Sequence, residues 1–464
     1  MSALWTSADL VAATGGTMPC CFSANGVSID SRSLQPGDLF VALVGENGDG
    51  HRFVAKALEN GAAGALVHLA PEGLENAPLL KVADTFEGLH ALGRFARARF
   101  TGKLVAVTGS VGKTTVKEML RCILSSQGAT HAAEASYNNH WGVPLTLARM
   151  PADAAYAVNE IGMNHRGEIA PLARLARPHV AVISTIGAAH IGNLGSQDAI
   201  ADEKASIAEG LEPGGVLLLP ADAPQFERLR AAAAARVESF GASPNADHRI
   251  LHAAPDADGT DLHLLVGGRE VKLRLAAPGL HMASNALAAL AASHLLGADV
   301  QAGALALAAF SPGAGRGARR ILQLPQGRIT LLDESYNAST SAVKAALALL
   351  GMVRAPRRIA VLGDMLEMGE AGVAEHLSLA DGVSAHANLL FTCGPLMRRL
   401  HDAIPPAQRG AHAADSASLA PLVLDALRDG DAVLVKGSLG SRMKTIVGAI
   451  EAAASPAELP KDRP

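Results

Sequence analysis

The run Gly109-Ser110-Val111-Gly112-Lys113-Thr114-Thr115 constrains this chain more than any other stretch. It follows an apolar run at 104–107 and precedes Val116, Met119, Leu120, Ile123 and Leu124, whose offsets mark one face of a helix. The spacing predicts strand, glycine turn, helix. Such a turn aims backbone N–H groups and the positive end of a helix dipole at one spot, which suits phosphate. Lys113 adds a charge for the outer phosphates and Thr114 a hydroxyl for Mg²⁺. The loop is a short form of the common phosphate loop, because position 107 is valine where that pattern has glycine.

At 464 residues the chain is long enough for about three domains. A net charge of −4 provides no basic field for nucleic acid. The four cysteines, Cys20, Cys21, Cys122 and Cys393, have neither metal-site nor disulfide-framework spacing, which fits a reducing, cytoplasmic setting. The first ten residues lack the basic-then-apolar pattern of a secretory signal. Residues 287–310 are alanine-rich but carry His294, Asp299 and Gln301, and so read as packed helices rather than a membrane span.

Apolar runs ending in polar residues recur along the chain. They lie at 39–43 and 65–67; at 155–158, 180–183 and 216–219; and at 329–332, 359–362, 389–391 and 432–435. Their alternation with helical stretches predicts an α/β protein of three domains, 1–100, 101–315 and 316–464. The central one is expected to be a mostly parallel sheet carrying the phosphate loop, and the last a smaller Rossmann-like sheet. Residues 94–103 and the glycine-proline cluster 311–315 are the expected boundaries. Residues 228–237 read as an alanine-arginine helix, 243–261 as loop, and the tail 456–464 as mobile.

Ligands of such sheets gather beyond the carboxyl ends of strands. Glu160, in Asn159-Glu160-Ile161-Gly162-Met163-Asn164, stands there and can hold Mg²⁺ against phosphate. His190 and Lys204 follow. His281 and Asn285 lie one turn apart at the start of the alanine-rich helix, a pattern that also suits helix capping. Arg316 sits between two domains. The run 329–334, ending in Asp333-Glu334, is similar to the acidic second motif of nucleotide motors but is expected to belong to a closing lobe.

At these residues the chain closely resembles the Mur ligases, ATP-dependent amide ligases of peptidoglycan assembly. The resemblance covers nearly the whole chain. Val116-Lys117-Glu118-Met119, Tyr137-Asn138-Asn139, Asn159-Glu160-Ile161-Gly162-Met163-Asn164, Asp333-Glu334-Ser335-Tyr336-Asn337-Ala338 and Val361-Leu362-Gly363-Asp364-Met365 are closest to its dipeptide-adding branch. The resemblance implies joining of D-alanyl-D-alanine to UDP-N-acetylmuramoyl-tripeptide through an acyl phosphate, by a monomer. Those motifs leave the third residue of the acceptor peptide, diaminopimelate or lysine, open.

By that resemblance Gly109, Ser110, Val111, Gly112, Lys113, Thr114 and Thr115 hold ATP phosphates. Thr114, Glu160, His190 and a carbamylated Lys204 serve Mg²⁺. Asn285 lies near the adenine, and Arg316, Asp333 and Asn337 contact nucleotide from the closing side. Asp30, Ser31 and Arg32, with 36–43 and 49–51, imply that the first domain holds the UDP-sugar. Ser206, Ser339-Thr340 and Leu439 depart from the family pattern, which has glutamate, Asn-Pro and arginine there. A guanine-reading Asn-Lys-x-Asp run, which a GTP switch would need, does not occur.

Overall fold

The computed structural model describes residues 3–45, 48–133 and 136–454. The tail expected to be mobile lies outside the described residues. Three large sheets organise the described residues, beside a two-stranded pair at Val44–Gly45 and Gly48–Asp49.

The first has four parallel strands in the order Gly26–Ser28, Asp38–Val41, Gly64–Val67, Leu79–Lys81. Its core, around Trp5, Leu39, Leu66 and Leu89, is completed by Leu145 and Ala148 from a helix of the central unit, Gly142–Ala148. Trp5 Nε1 donates to the Ala148 carbonyl at 2.9 Å. Residues 94–99, read as part of a boundary, instead finish the helix Thr85–Arg99, and regular structure breaks only at 100–102. Their basic character has a structural use. Arg97, buried, donates to the carbonyls of Ala176 and Arg177 (both 2.7 Å) and pairs with Glu212 at 3.0 Å. It thereby caps the C-terminus of the helix Ile169–Ala176 in the next unit.

The central sheet has nine strands. Lys103–Thr108 lies between Val180–Ile183 and Tyr156–Glu160 and pairs with both in parallel. Val216–Pro220 and Arg236–Gly241 extend the parallel part. Two expectations fail beyond that. The helix near 228–237 is only Phe226–Ala232, and Arg236 already begins a strand. The segment 243–261, read as loop, holds the strand His248–Pro255 and the start of Thr260–Val266, which pair antiparallel and continue into Arg269–Leu275; 243–247 and 256–259 are irregular. One face of this addition meets solvent, so its strands alternate polar and apolar instead of forming the apolar runs of a parallel sheet. The helices Leu280–Leu295 and Val300–Ala308 pack against it, buried through alanine and leucine.

The third sheet has six strands, ordered Ala318–Leu324, Gly327–Glu334, Ala432–Lys436, Arg358–Gly363, Leu389–Cys393, Arg409–Ala413. All pair in parallel except the first, an antiparallel edge. Among the described residues no helix is long and apolar enough to cross a membrane.

Candidate nucleotide and amide-ligation site

The strand Lys103–Thr108 turns through the glycine loop into the helix Lys113–Ser125. Gly109 has φ +148°, and a Cβ there would fall 2.0 Å from Ser184 Oγ. Gly112 has φ +85°, and its Cβ would fall 2.5 Å from Asn285 Oδ1. Each position needs glycine for both conformation and space. The loop is fastened to the next strand's end before any ligand arrives. Ser110 N–H donates to the Thr185 carbonyl at 2.9 Å, Val111 N–H to Thr185 Oγ1 at 3.2 Å, and Ser184 Oγ to the Val111 carbonyl at 2.6 Å. Two loop amides are thus engaged within the protein. The donors left for an anion are those of the helix's first turn, which has no side-chain cap.

Lys113 folds back, its Nζ donating to the Gly109 carbonyl at 2.7 Å. Burial pushes its pKa below the ordinary lysine value, Glu160 opposes this, and Arg316 adds to it. Glu160 is buried at the end of its strand and accepts from Thr114 Oγ1 and Asn138 Nδ2, each at 2.7 Å. A buried carboxylate held by a hydroxyl and an amide, with a second hydroxyl (Ser136 Oγ) 3.3 Å from Thr114, is a hard-oxygen set that suits Mg²⁺. No group of three His, Cys, Asp or Glu side chains is placed to hold a metal among the described residues.

These groups line one side of a cleft of about 640 Å³. The C-terminal unit supplies the other side, including Glu334, Tyr336, Asn337, Ser341, Leu366 and Leu439. Arg316 bridges the two. Its guanidinium lies 3.8 Å from the Tyr336 ring centroid and donates to Ser136 Oγ at 3.0 Å. His190 lines the same cleft. Asn285, packed against Gly112, and His281 line it as well, with His281 open to the cleft although protein surrounds it on most sides.

Several expected site residues stand elsewhere. Gly109 shapes the loop from behind and is not on the cleft wall. Asp333 faces away, because side chains alternate along a strand and Glu334 takes the cleft side. Its carboxylate is taken up by Gly315 N–H (2.9 Å), Ser335 Oγ (2.6 Å) and Arg320 (3.0 Å). It fixes the turn that presents Arg316. Lys204 is buried behind the wall. Burial first, then the Lys113 charge, push its amine well below the ordinary lysine value, with Glu203 opposing only in part. Glu203 is occupied otherwise, accepting Gly167 N–H at 2.8 Å and Ile169 N–H at 3.0 Å. Ser206 Oγ merely donates to the Glu203 carbonyl at 2.6 Å. Asp364 accepts the Met397 amide at 2.7 Å and so caps a helix rather than facing the cleft. Asp30 and Arg32 form their own bidentate pair on the first unit, 2.7 Å at its shortest, with Arg32 exposed.

The sequence reading missed Ser136, Glu334 and Glu367 as cleft residues. Glu334 was visible as the polar end of a strand. Ser136 sits in irregular chain and Glu367 in a turn, where no periodicity marks them.

Comparison with known proteins decides what this geometry belongs to. Three family profiles match in succession: the Mur ligase catalytic domain over 23–99, the Mur ligase middle domain over 107–293, and the Mur ligase glutamate ligase domain over 319–439. An Escherichia coli protein named UDP-N-acetylmuramoyl-tripeptide–D-alanyl-D-alanine ligase is 35% identical over 92% of this chain and 94% of its own. The chain belongs to the Mur ligase family. A Bacillus subtilis relative of the same name is 33% identical to this Mur ligase, over 91% of this chain and 92% of its own. The crystal structure of MurF from Acinetobacter baumannii superposes with a TM-score of 0.84 at 29% identity, covering 97% of this ligase and 99% of that protein.

Proposed function

We infer that this Mur ligase uses ATP to join D-alanyl-D-alanine to the terminal carboxylate of UDP-N-acetylmuramoyl-tripeptide, giving the pentapeptide precursor of peptidoglycan. The observation that carries the reading is the cleft itself. An uncapped helix N-terminus with Lys113 and buried Glu160 faces a wall from a separate unit, so a phosphorylated acid and an amine can meet away from bulk water. Relatives that share the chain end to end and carry that enzyme's name support the substrates.

A carboxylate is a poor acyl donor because oxide is a poor leaving group. Attack of the peptide carboxylate on the γ-phosphorus displaces ADP and gives an acyl phosphate. The dipeptide amine then adds to the acyl carbon, loses a proton, and the tetrahedral intermediate expels inorganic phosphate. Two like charges ~4 Å apart repel by about 4 kcal/mol at an effective dielectric of ~20, so the first step needs counter-charge. Lys113, drawn from the Gly109 carbonyl to phosphate, supplies one positive charge, and the first-turn amides orient the phosphate chain. Thr114, Glu160 and His190 would hold Mg²⁺, which would neutralise phosphate oxygens. Arg316 is placed at the seam between units to meet nucleotide from the closing side. Asn285 packs over Gly112 and fixes the loop's height. Asp30, Ser31 and Arg32 offer an exposed turn for the UDP moiety. On the same reading the enzyme is a cytoplasmic monomer acting on small molecules.

An isotope experiment tests this. With ¹⁸O in the tripeptide's terminal carboxylate, one labelled oxygen should leave in inorganic phosphate for each amide formed. Phosphate free of label would reject the acyl phosphate and with it this assignment.

A further inference from the structure

Two turns meet across the cleft's edge, one from each unit. The central turn carries His190, at φ +66°; the C-terminal turn carries Glu367, at φ +64°. Left-handed backbone costs a residue with a Cβ about 1–2 kcal/mol and persists where the surroundings over-determine it, often at functional sites. Here the surroundings are the other turn. Gly192 N–H donates to the Glu367 carbonyl at 3.2 Å, and a Cβ on Gly192 would fall 2.8 Å from the Gly369 nitrogen. The two backbones therefore touch only because Gly192 is glycine. The contact brings Glu367 Oε2 to 2.6 Å from His190 Nδ1, close but not aligned as a hydrogen bond, in which Nδ1 is otherwise a buried atom without a partner. Apo sites often show such unfinished alignment.

A metal-binding histidine commonly has its second nitrogen held by a carboxylate, which fixes the tautomer and ring orientation. In this chain that carboxylate comes from a different unit than the ring. We propose that Glu367 is a positioning residue that makes the hold of His190 on Mg²⁺ depend on the C-terminal unit being docked. The proposal rests on the reading above that His190 serves the metal. It couples the two events reciprocally: docking strengthens metal binding, and metal with nucleotide strengthens docking by the same factor. An enzyme built this way is primed for phosphoryl transfer only when the wall presented to the amine is in place.

The test uses the full-length enzyme with Mn²⁺ as probe, measured by electron paramagnetic resonance in the presence of a non-hydrolysable ATP analogue. Glu367→Ala should weaken Mn²⁺ binding by roughly 10–100-fold, the usual effect of removing such a carboxylate. Glu367→Gln, which keeps an acceptor oxygen, should fall between Ala and wild type. Gly192→Ala, which separates the turns and leaves Glu367 intact, should match Glu367→Ala. The analogue's affinity without metal should be unchanged, and in turnover kcat should fall with little change in the tripeptide KM. Mn²⁺ affinity within twofold of wild type in Glu367→Ala, with the analogue bound normally, overturns the proposal alone. Failure of the wild type to bind the analogue overturns the nucleotide reading and this proposal with it.

Discussion

Lys113 and Gly112 carry most of the consequence at the level of single residues. Removing one preorganised charge from a developing anion costs ~10²–10³ in kcat, so Lys113→Met should lose about that much in steady-state ligation without a lower melting temperature, because its amine is already disfavoured by burial. Gly112→Ala meets a left-handed backbone and Asn285 together. Nucleotide affinity, read by calorimetry, should drop roughly tenfold or more. The double variant with Asn285→Ala should not restore it, because the backbone penalty remains. Lys204 is the third case. Only a neutral amine reacts with CO₂, and burial and Lys113 favour that form. If carbamylation then turns this lysine into an anion, Lys204→Ala should regain part of its lost activity with added formate or acetate, and no recovery would count against it. These roles were unevenly legible. The loop glycines, Lys113, Thr114 and Glu160 announce themselves by position at strand ends. Asp333 misleads because Glu334 beside it has the same chemistry and only strand parity separates them. The depth of Lys204 depends on packing that no local pattern encodes.

The antiparallel addition to the central sheet has a pH dependence of its own. His248 is buried there, its Nε2 2.8 Å from Glu238 Oε2, while its Nδ1 accepts Gly267 N–H at 3.1 Å. That pair of contacts assigns the neutral ring, protonated on Nε2. Burial depresses its pKa, with Glu238 opposing and His294 adding. The unfolded histidine, with a pKa of about 6.5, binds more protons than the folded one. Stability is therefore present above about pH 6.5 and lost as pH falls through that value. Denaturant unfolding between about pH 7 and 5 should show this slope, and His248→Gln should flatten it. The helix Ile169–Ala176 gives a second element-level prediction. Arg97 holds its last carbonyls and Glu212, so Arg97→Ala should cost about 3 kcal/mol, seen as a lower urea midpoint. Elements of this kind divide clearly in the sequence. The parallel strands show as apolar runs because both faces are buried. Strands such as Thr260–Val266 alternate and so present no apolar run to mark them. Arg97 looked like part of a polar boundary because its partners lie some 80 positions away.

For the molecule as a whole, the cleft is one site made by two units, and among the described residues few polar contacts cross its seam. Arg316 reaches Ser136, Glu367 lies against His190, and Arg319 donates to the Ala257 carbonyl at 2.8 Å on the antiparallel addition. Few polar contacts suit a unit that must part to admit substrates and close for reaction. X-ray scattering should show a smaller radius of gyration with nucleotide and tripeptide bound than without, and identical values would contradict closure. The three-unit α/β plan was legible because each unit repeats strand and helix. The sharing of Leu145 and Ala148 with the first unit's core was not, since it is a long-range contact. The central claim is that ATP is consumed only to activate a peptide's acid for capture by a dipeptide amine. Mass spectrometry of a reaction containing UDP-N-acetylmuramoyl-tripeptide, D-alanyl-D-alanine, ATP and Mg²⁺, run beside mixtures lacking each, tests it most directly. The account predicts pentapeptide and ADP in equal amounts, and neither when the tripeptide is left out. Equal ADP release in every mixture, with no pentapeptide, would contradict it.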